Sequence, residues 1–331
     1  MNMCHVFESI VPDDADGKQR VDAYLAAASG VSRSIIGDAS SRIMVNGREV
    51  KRSKAIAPGD AVILYWQENP PGNIEPQDIP LDILYEDDDI LFIDKPQGIV
   101  VHPGAGNPDG TVVNALVFRY GPDFIRAYGG QDEHEDAGDE TDEAVDRTDF
   151  LRPGIVHRLD KDTSGVMVIA RTRLAHGYMA RQFSEHTAVK HYIALVEGSM
   201  KDDEGVIITN LARDRNDRKK FRVSTGKEGK RAETRWRVVA RYGVCTLLRI
   251  RIMTGRTHQI RVHMAHLGHP VVGDGVYGGR RKSFPGVTLM LHARLLDVSR
   301  PSDGRHLKIS APVPQRFIEL VHEAGGSFPQ V

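Results

Sequence analysis

Gly154-Ile155-Val156-His157-Arg158-Leu159-Asp160-Lys161-Asp162-Thr163-Ser164-Gly165 runs directly into Val166-Met167-Val168-Ile169-Ala170. The second segment is an unbroken apolar run of the kind that forms a buried strand. The first sets a cation, an apolar residue and a carboxylate in succession, then an Asp-Thr-Ser-Gly turn. A loop pinned to the lip of a buried strand holds a reactive side chain still while leaving it open to a large substrate. Asp160 is the candidate reactive group. Asp, Thr, Ser and Gly are also ordinary turn residues, so the rest of the chain has to decide between chemistry and a plain turn.

The chain has 331 residues, 40% of them hydrophobic, enough for about two domains, and no apolar run of membrane-spanning length. Met1 to Lys18 lacks the apolar centre of a signal peptide, so a cytoplasmic location is expected. Cys4 and Cys245 cannot build a disulfide framework or a zinc pair; the expectation is a free terminal thiol and a small core residue. The net charge of −1 hides an opposition between halves. Residues 1–150 carry 12 basic and 29 acidic side chains, residues 151–331 carry 32 and 16. A second half at +16 suits a polyanionic partner.

The opening residues read as too polar to pack. From Arg20 a short amphipathic helix begins, Ser32-Arg33-Ser34 offers the cap of a second, and Ile43 to Val50 reads as a hairpin around Asn46-Gly47. Ala61 to Trp66 is a further strand, which closes a module over residues 17–68. The proline-bearing residues 69–80 read as a linker, and a larger domain is expected over 81–325. In it, Ile83-Leu84-Tyr85 and Ile90 to Lys95 flank an acidic turn, and the glycine-rich run His102 to Thr111 lacks the lysine of a phosphate-binding loop. It reads as a tight double turn into a helix. Residues 131–149, with ten acidic side chains and one arginine, are expected to be a disordered insertion, either a tolerated loop or a mimic of the polyanion that competes for a basic face.

Further on, Leu174 to Glu185 has helical spacing and Lys190 to Val196 alternates as a strand that carries Tyr192. Arg213 to Arg237 holds eleven basic side chains against four acidic, Lys219 and Lys220 among them, and reads as a hairpin or loop along a phosphate backbone. Thr254-Gly255-Arg256-Thr257-His258-Gln259-Ile260-Arg261-Val262-His263 follows, with histidines again at 266 and 269. A metal site is rejected: no cysteine is near, Asp274 is the only close carboxylate, and neither His-x-Glu nor His-Glu-x-x-His is present. No cofactor is expected. Pro314 to Ala324 reads as a terminal amphipathic helix.

The string His157-Arg158-Leu159-Asp160 with Lys161-Asp162-Thr163-Ser164-Gly165 resembles the active-site motif of the RluA family of pseudouridine synthases. Gln77 to Pro80 with the run from His102 resembles the branch that acts on large-subunit ribosomal RNA, and Ser32-Arg33-Ser34, Val45-Asn46-Gly47 and Gly59-Asp60 look like an S4 RNA-binding domain. The resemblance implies an α+β catalytic domain on a mixed, largely antiparallel sheet, and isomerisation of uridine in RNA without metal or cofactor. It further implies Asp160 as the catalytic carboxylate, Arg261 as its partner, and Arg158 filling the place of a flipped uridine. Tyr192 would stack on the base, with Leu291, in the stretch matching Leu-His-Ala, packed beneath it. Arg33, Lys219, Lys220 and Arg256 are candidates for RNA contact. The expected partner is ribosomal RNA, alone or in an assembling large subunit, with transfer RNA as the alternative; the expected state is a monomer. Two other readings stay open: an idle RNA-binding assembly factor, and a hydrolase or glycosidase that uses Asp160.

Overall fold

The computed structural model describes residues 4–12, 19–29, 31, 36, 41–67, 74–104, 106–128, 152–215, 217, 220–224, 226, 228–278 and 283–330. They divide into two compact units between residues 67 and 74. The acidic segment 131–149, the second N-terminal helix and Arg33 lie outside the described residues. No helix among the described residues is long and apolar enough to cross a membrane.

The N-terminal unit is an antiparallel sheet of β1 (Cys4–Ile10), β2 (Arg42–Val45), β3 (Arg48–Glu49) and β4 (Ala61–Gln67), in the order β1-β4-β2-β3, with helix α1 (Val21–Ser29). Val21 and Leu25 of α1 pack with Ile43, Val62 and Leu64 of the sheet in one core. Asn46 and Gly47 both have positive φ, 50° and 75°, which is the backbone of a tight two-residue hairpin. β1 corrects the reading of the first residues as unable to pack. An edge strand needs apolar side chains on one face only; Phe7 lies opposite Leu64 and packs against the core, while Val6 and Ile10 stay exposed.

The larger unit is built on a ten-stranded sheet. Its strands are β5 (Asp82–Glu86), β6 (Ile90–Lys95), β7 (Ser164–Ala170), β8 (Val189–Glu197), β9 (Glu204–Arg213), β10 (Phe221–Ser224), β11 (Lys230–Arg241), β12 (Cys245–Ile252), β13 (Leu291–Ser299) and β14 (His306–Ser310). Their order is β10-β9-β11-β12-β8-β13-β7-β6-β5, with β14 on β13. Every pairing is antiparallel except β7 with β13. The helices are α2 (Val112–Tyr120), α3 (Pro122–Arg126), α4 (Arg173–Ser184), α5 (Gln259–His266) and α6 (Gln315–Glu323). β7 is buried along its whole length, as its apolar run requires.

Several expectations need revision. The basic stretch 213–237 does not form one hairpin: β10 and β11 lie on opposite sides of β9. Residues 74–80, read as the end of a linker, lie along α2. Asn114 donates to the Glu75 carbonyl at 2.9 Å, and Gln77 accepts from the Gly110 N–H at 2.7 Å. Extended proline-containing backbone leaves its polar groups free to pair with a neighbour, so composition alone does not separate linker from strap. The run before α2 is a closed turn, with Gly104 and Asn107 exchanging backbone bonds of 3.0 Å, and Thr111 and Asn114 cap the helix reciprocally.

Candidate active site

The loop 154–165 is fastened at both ends and from beneath. Gly154 (φ 74°) and Gly165 (φ 121°) occupy backbone conformations that other residues rarely adopt, and a Cβ on either would strike a backbone carbonyl, Ala170 or Ala293 respectively. Between them Leu159 and Thr163 sink into the protein, the Thr163 N–H donates to the Asp160 carbonyl at 3.1 Å, and the Asp160 side chain is left 21% exposed at the rim. His157 accepts the Val168 N–H at 3.0 Å through Nε2 and stacks on Phe183, its ring centroid 4.4 Å away. Burial pushes its pKa down to about 3.

Lys95 supports the loop from the core. Its side chain is fully buried at the end of β6, and its ammonium donates to the carbonyls of Pro96 (2.9 Å), Ile99 (2.8 Å) and Lys161 (3.2 Å). Burial lowers its pKa to about 8, opposed by the charges of Asp160 and Asp162. Gln97 adds a second clamp, donating to the carbonyls of Asp162 and Leu289 at 2.7 and 2.9 Å. Neither residue stood out in the sequence. A lysine closing an apolar strand was the available signal.

From the other side α5 presents Arg261. Its Nη1 lies 3.4 Å from Asp160 Oδ2, but its closer partner is Asp274, bound through Nε at 2.7 Å and Nη2 at 2.9 Å. Asp274 is itself fully sunk and also accepts the Val276 and Tyr277 N–H groups at 2.8 and 2.9 Å. Burial works against both charges. For Asp274 the Arg261 bonds and charge outweigh it and lower the pKa; for Arg261 the Asp274 bonds, then the charges of Asp274 and Asp160, raise it. The arginine therefore stays charged and fixed, with one edge turned to Asp160.

His258 begins α5 in the left-handed region (φ 57°) and approaches the same carboxylate, Nε2 to Oδ2 at 3.9 Å. Tyr277 accepts the Phe221 N–H at 2.8 Å, so its own hydroxyl proton is free for His258 Nδ1, also at 2.8 Å. Burial lowers the His258 pKa and favours the neutral ring. In that network the Nε2 proton faces Asp160.

Tyr192, on β8, is buried, and its hydroxyl pKa is raised first by burial and then by the charge of Asp160. Leu291, at the start of β13, is buried one strand away and pairs with Ala194 in the register that sets Ala293 against Tyr192. Arg158 is exposed beside the loop. Arg256 donates to the Arg231 carbonyl at 3.2 Å, and Lys220 lies 3.8 Å from Asp217. Lys219 lies outside the described residues. Asp160, Arg261 and Tyr192 thus share one neighbourhood. Asp274, His258 and Tyr277 join it, although the sequence offered His258 and Asp274 only within a rejected metal site and gave Tyr277 no role.

A buried arginine, held by one carboxylate, here turns its remaining edge to a second carboxylate that is open at the rim, an arrangement that sets a fixed positive charge beside a group within reach of substrate. The family model described as RNA pseudouridylate synthase matches residues 89–266. An RNA pseudouridine synthase of Aquifex aeolicus is 41% identical over 91% of this chain and 92% of its own length. Ribosomal large subunit pseudouridine synthase D of Escherichia coli K12 is 38% identical over 94% and 92%. The solved structure of human RNA pseudouridylate synthase domain containing 4, 23% identical, covers 75% of this chain and 95% of its own with a TM-score of 0.55, a likeness of fold. The chain belongs to the RluA family of RNA pseudouridine synthases and is an isomerase that acts on RNA.

Proposed function

We propose that this enzyme converts specific uridines of large-subunit ribosomal RNA to pseudouridine, with Asp160 as the catalytic carboxylate. The observation that carries the reading is the 3.4 Å approach of the fixed Arg261 guanidinium to Asp160, which sets a permanent positive charge beside the carboxylate at the rim of the site. Two relations support the substrate: the similarity to the Escherichia coli synthase D over nearly the whole chain, and the basic second half.

The reaction breaks the bond between uracil N1 and the ribose C1′, turns the ring and joins C5 to C1′. A proton leaves C5 and one is gained at N1, so the mass is unchanged. Asp160 acts as a nucleophile or as a charge partner for the sugar. A paired uridine reaches it only by leaving its stack, at roughly a few kcal/mol. In this reading Arg158, which is exposed, fills the vacated position with its flat guanidinium. Tyr192 and Leu291 hold the extruded ring. The N-terminal unit is read as an S4-type RNA-binding module, a small sheet and helix with basic residues Arg42, Arg48, Lys51, Arg52 and Lys54.

Asp160→Asn is expected to abolish pseudouridine formation on ribosomal RNA transcripts while RNA binding stays within about threefold, a change of under 1 kcal/mol. Mapping pseudouridine in ribosomal and transfer RNA from cells with and without the gene tests the substrate. Sites lost only from transfer RNA would refute the ribosomal reading.

A further inference from the structure

The basic stretch that looked like one surface in sequence is divided by the sheet between two faces. Along β11, Ala232, Thr234 and Trp236 are buried, whereas Arg231, Arg235 and Arg237 are exposed. On β12 the buried residues Ile250 and Ile252 alternate with Arg249 and Arg251. Register ties the strands together: Arg235 stands opposite Arg251, Arg237 opposite Arg249, and Arg251 opposite His191. Ile250 stands opposite Tyr192. Because neighbouring residues on a strand point to opposite faces, the arginines occupy the side of the sheet that Tyr192 does not.

These cations border a shallow concavity of about 500 Å³. Arg235 is neutralised by Glu233 at 2.8 Å, and Arg237 reaches Glu204 only at 3.9 Å. Arg249 and Arg251 have no carboxylate partner among the described residues, and both of their charges act to lower the pKa of His191, after its burial. Like charges set directly across a ladder destabilise a sheet. The fold gains nothing from this arrangement, whereas an anion would. Guanidinium groups stay charged at any working pH and match phosphate oxygens in pairs. Arginines two apart on a strand recur every ~6.8 Å, of the order of the step between phosphates in a nucleic-acid strand.

We propose that this face is a second RNA-binding surface, which takes the phosphodiester backbone of a stretch of RNA remote from the uridine being isomerised. The contact argued here is guanidinium to phosphate, which positions a strand and carries no sequence information, so the face contributes affinity rather than choice of uridine. The inference rests on the enzyme acting on RNA and not on which RNA that is.

The test compares wild type, R249Q/R251Q and R249K/R251K for binding to a long structured RNA transcript and to a single short hairpin, each over a salt titration. For the glutamine variant on the transcript, the slope of log K against log salt is expected to become shallower by about 1.4–1.8, the worth of two phosphate contacts. Affinity at low salt should fall about tenfold or more, with little change on the hairpin, and the lysine variant should keep most of the slope. The melting temperature of the glutamine variant should be equal or higher, since a repulsion has been removed. Unchanged slope and affinity on the transcript, as a protein partner for this face would give, would overturn the proposal. So would an affinity loss that tracks a lowered melting temperature.

Discussion

At the scale of single residues, the centre of the site is an arginine held by two carboxylates of different kinds. Asp274 is buried and takes two of the guanidinium's bonds; Asp160 is at the rim and takes what is left. Removing one partner of a buried pair leaves an uncompensated charge, at about 3–5 kcal/mol. Asp274→Asn is therefore expected to lower stability by that order in urea unfolding and to slow single-turnover isomerisation at least about tenfold, because the freed Arg261 settles against Asp160. Unaltered kinetics would show that Arg261 is fixed by other means. Asp160 and Arg261 were legible in the sequence because each stands in a dense local motif. Asp274 was visible only as the one carboxylate of a rejected metal site, since its partner lies thirteen positions away and meets it through the fold of the turn after α5. The role of His258 depends on a left-handed backbone that no composition announces.

At the scale of elements, the decisive join is between the loop and the sheet. Gly165 lies where β7 meets β13, and a side chain there has no room beside the Ala293 backbone. Gly165→Ala is expected to cost about 2–3 kcal/mol, in the upper range for single substitutions, and to displace the Asp160 loop with it. Gly177→Ala, in helix α4 where a methyl meets nothing, is expected to be neutral or to stabilise by up to ~1 kcal/mol. Thermal unfolding of the pair checks both; equal shifts would contradict the crowding at Gly165. The strands with strong local patterns, β6 and β7, and the Asn-Gly hairpin could be read directly. β1 could not, because its pattern becomes a strand only against β4, about fifty residues later.

At the scale of the whole molecule, buried histidines set the response to acid. Burial pushes His157 and His292 down to about 3 and His263 to about 4, against an ordinary value of 6.5. Their folded values are depressed, so the unfolded chain binds more protons between pH ~6.5 and ~3. Stability is complete above that window and is lost as pH falls through it. The urea midpoint is expected to drop steadily from pH 7 to pH 4.5; a flat profile would contradict the neutral, buried imidazoles. The charge contrast between the two halves was plain from composition, but its division between the two sides of the sheet appears only once strand register is known.

Strand β13 sits between β7 and β8, although those two are joined directly through α4 and β13 comes about a hundred residues afterwards. During synthesis the growing polypeptide must carry an open slot whose two lips present bare amide and carbonyl groups, an invitation to mispairing. The slot is filled only when residues 291–299 have left the ribosome. The enzyme is thereby barred from touching RNA productively while unfinished, and shortened products that end before residue 291 should be both inert and prone to clump.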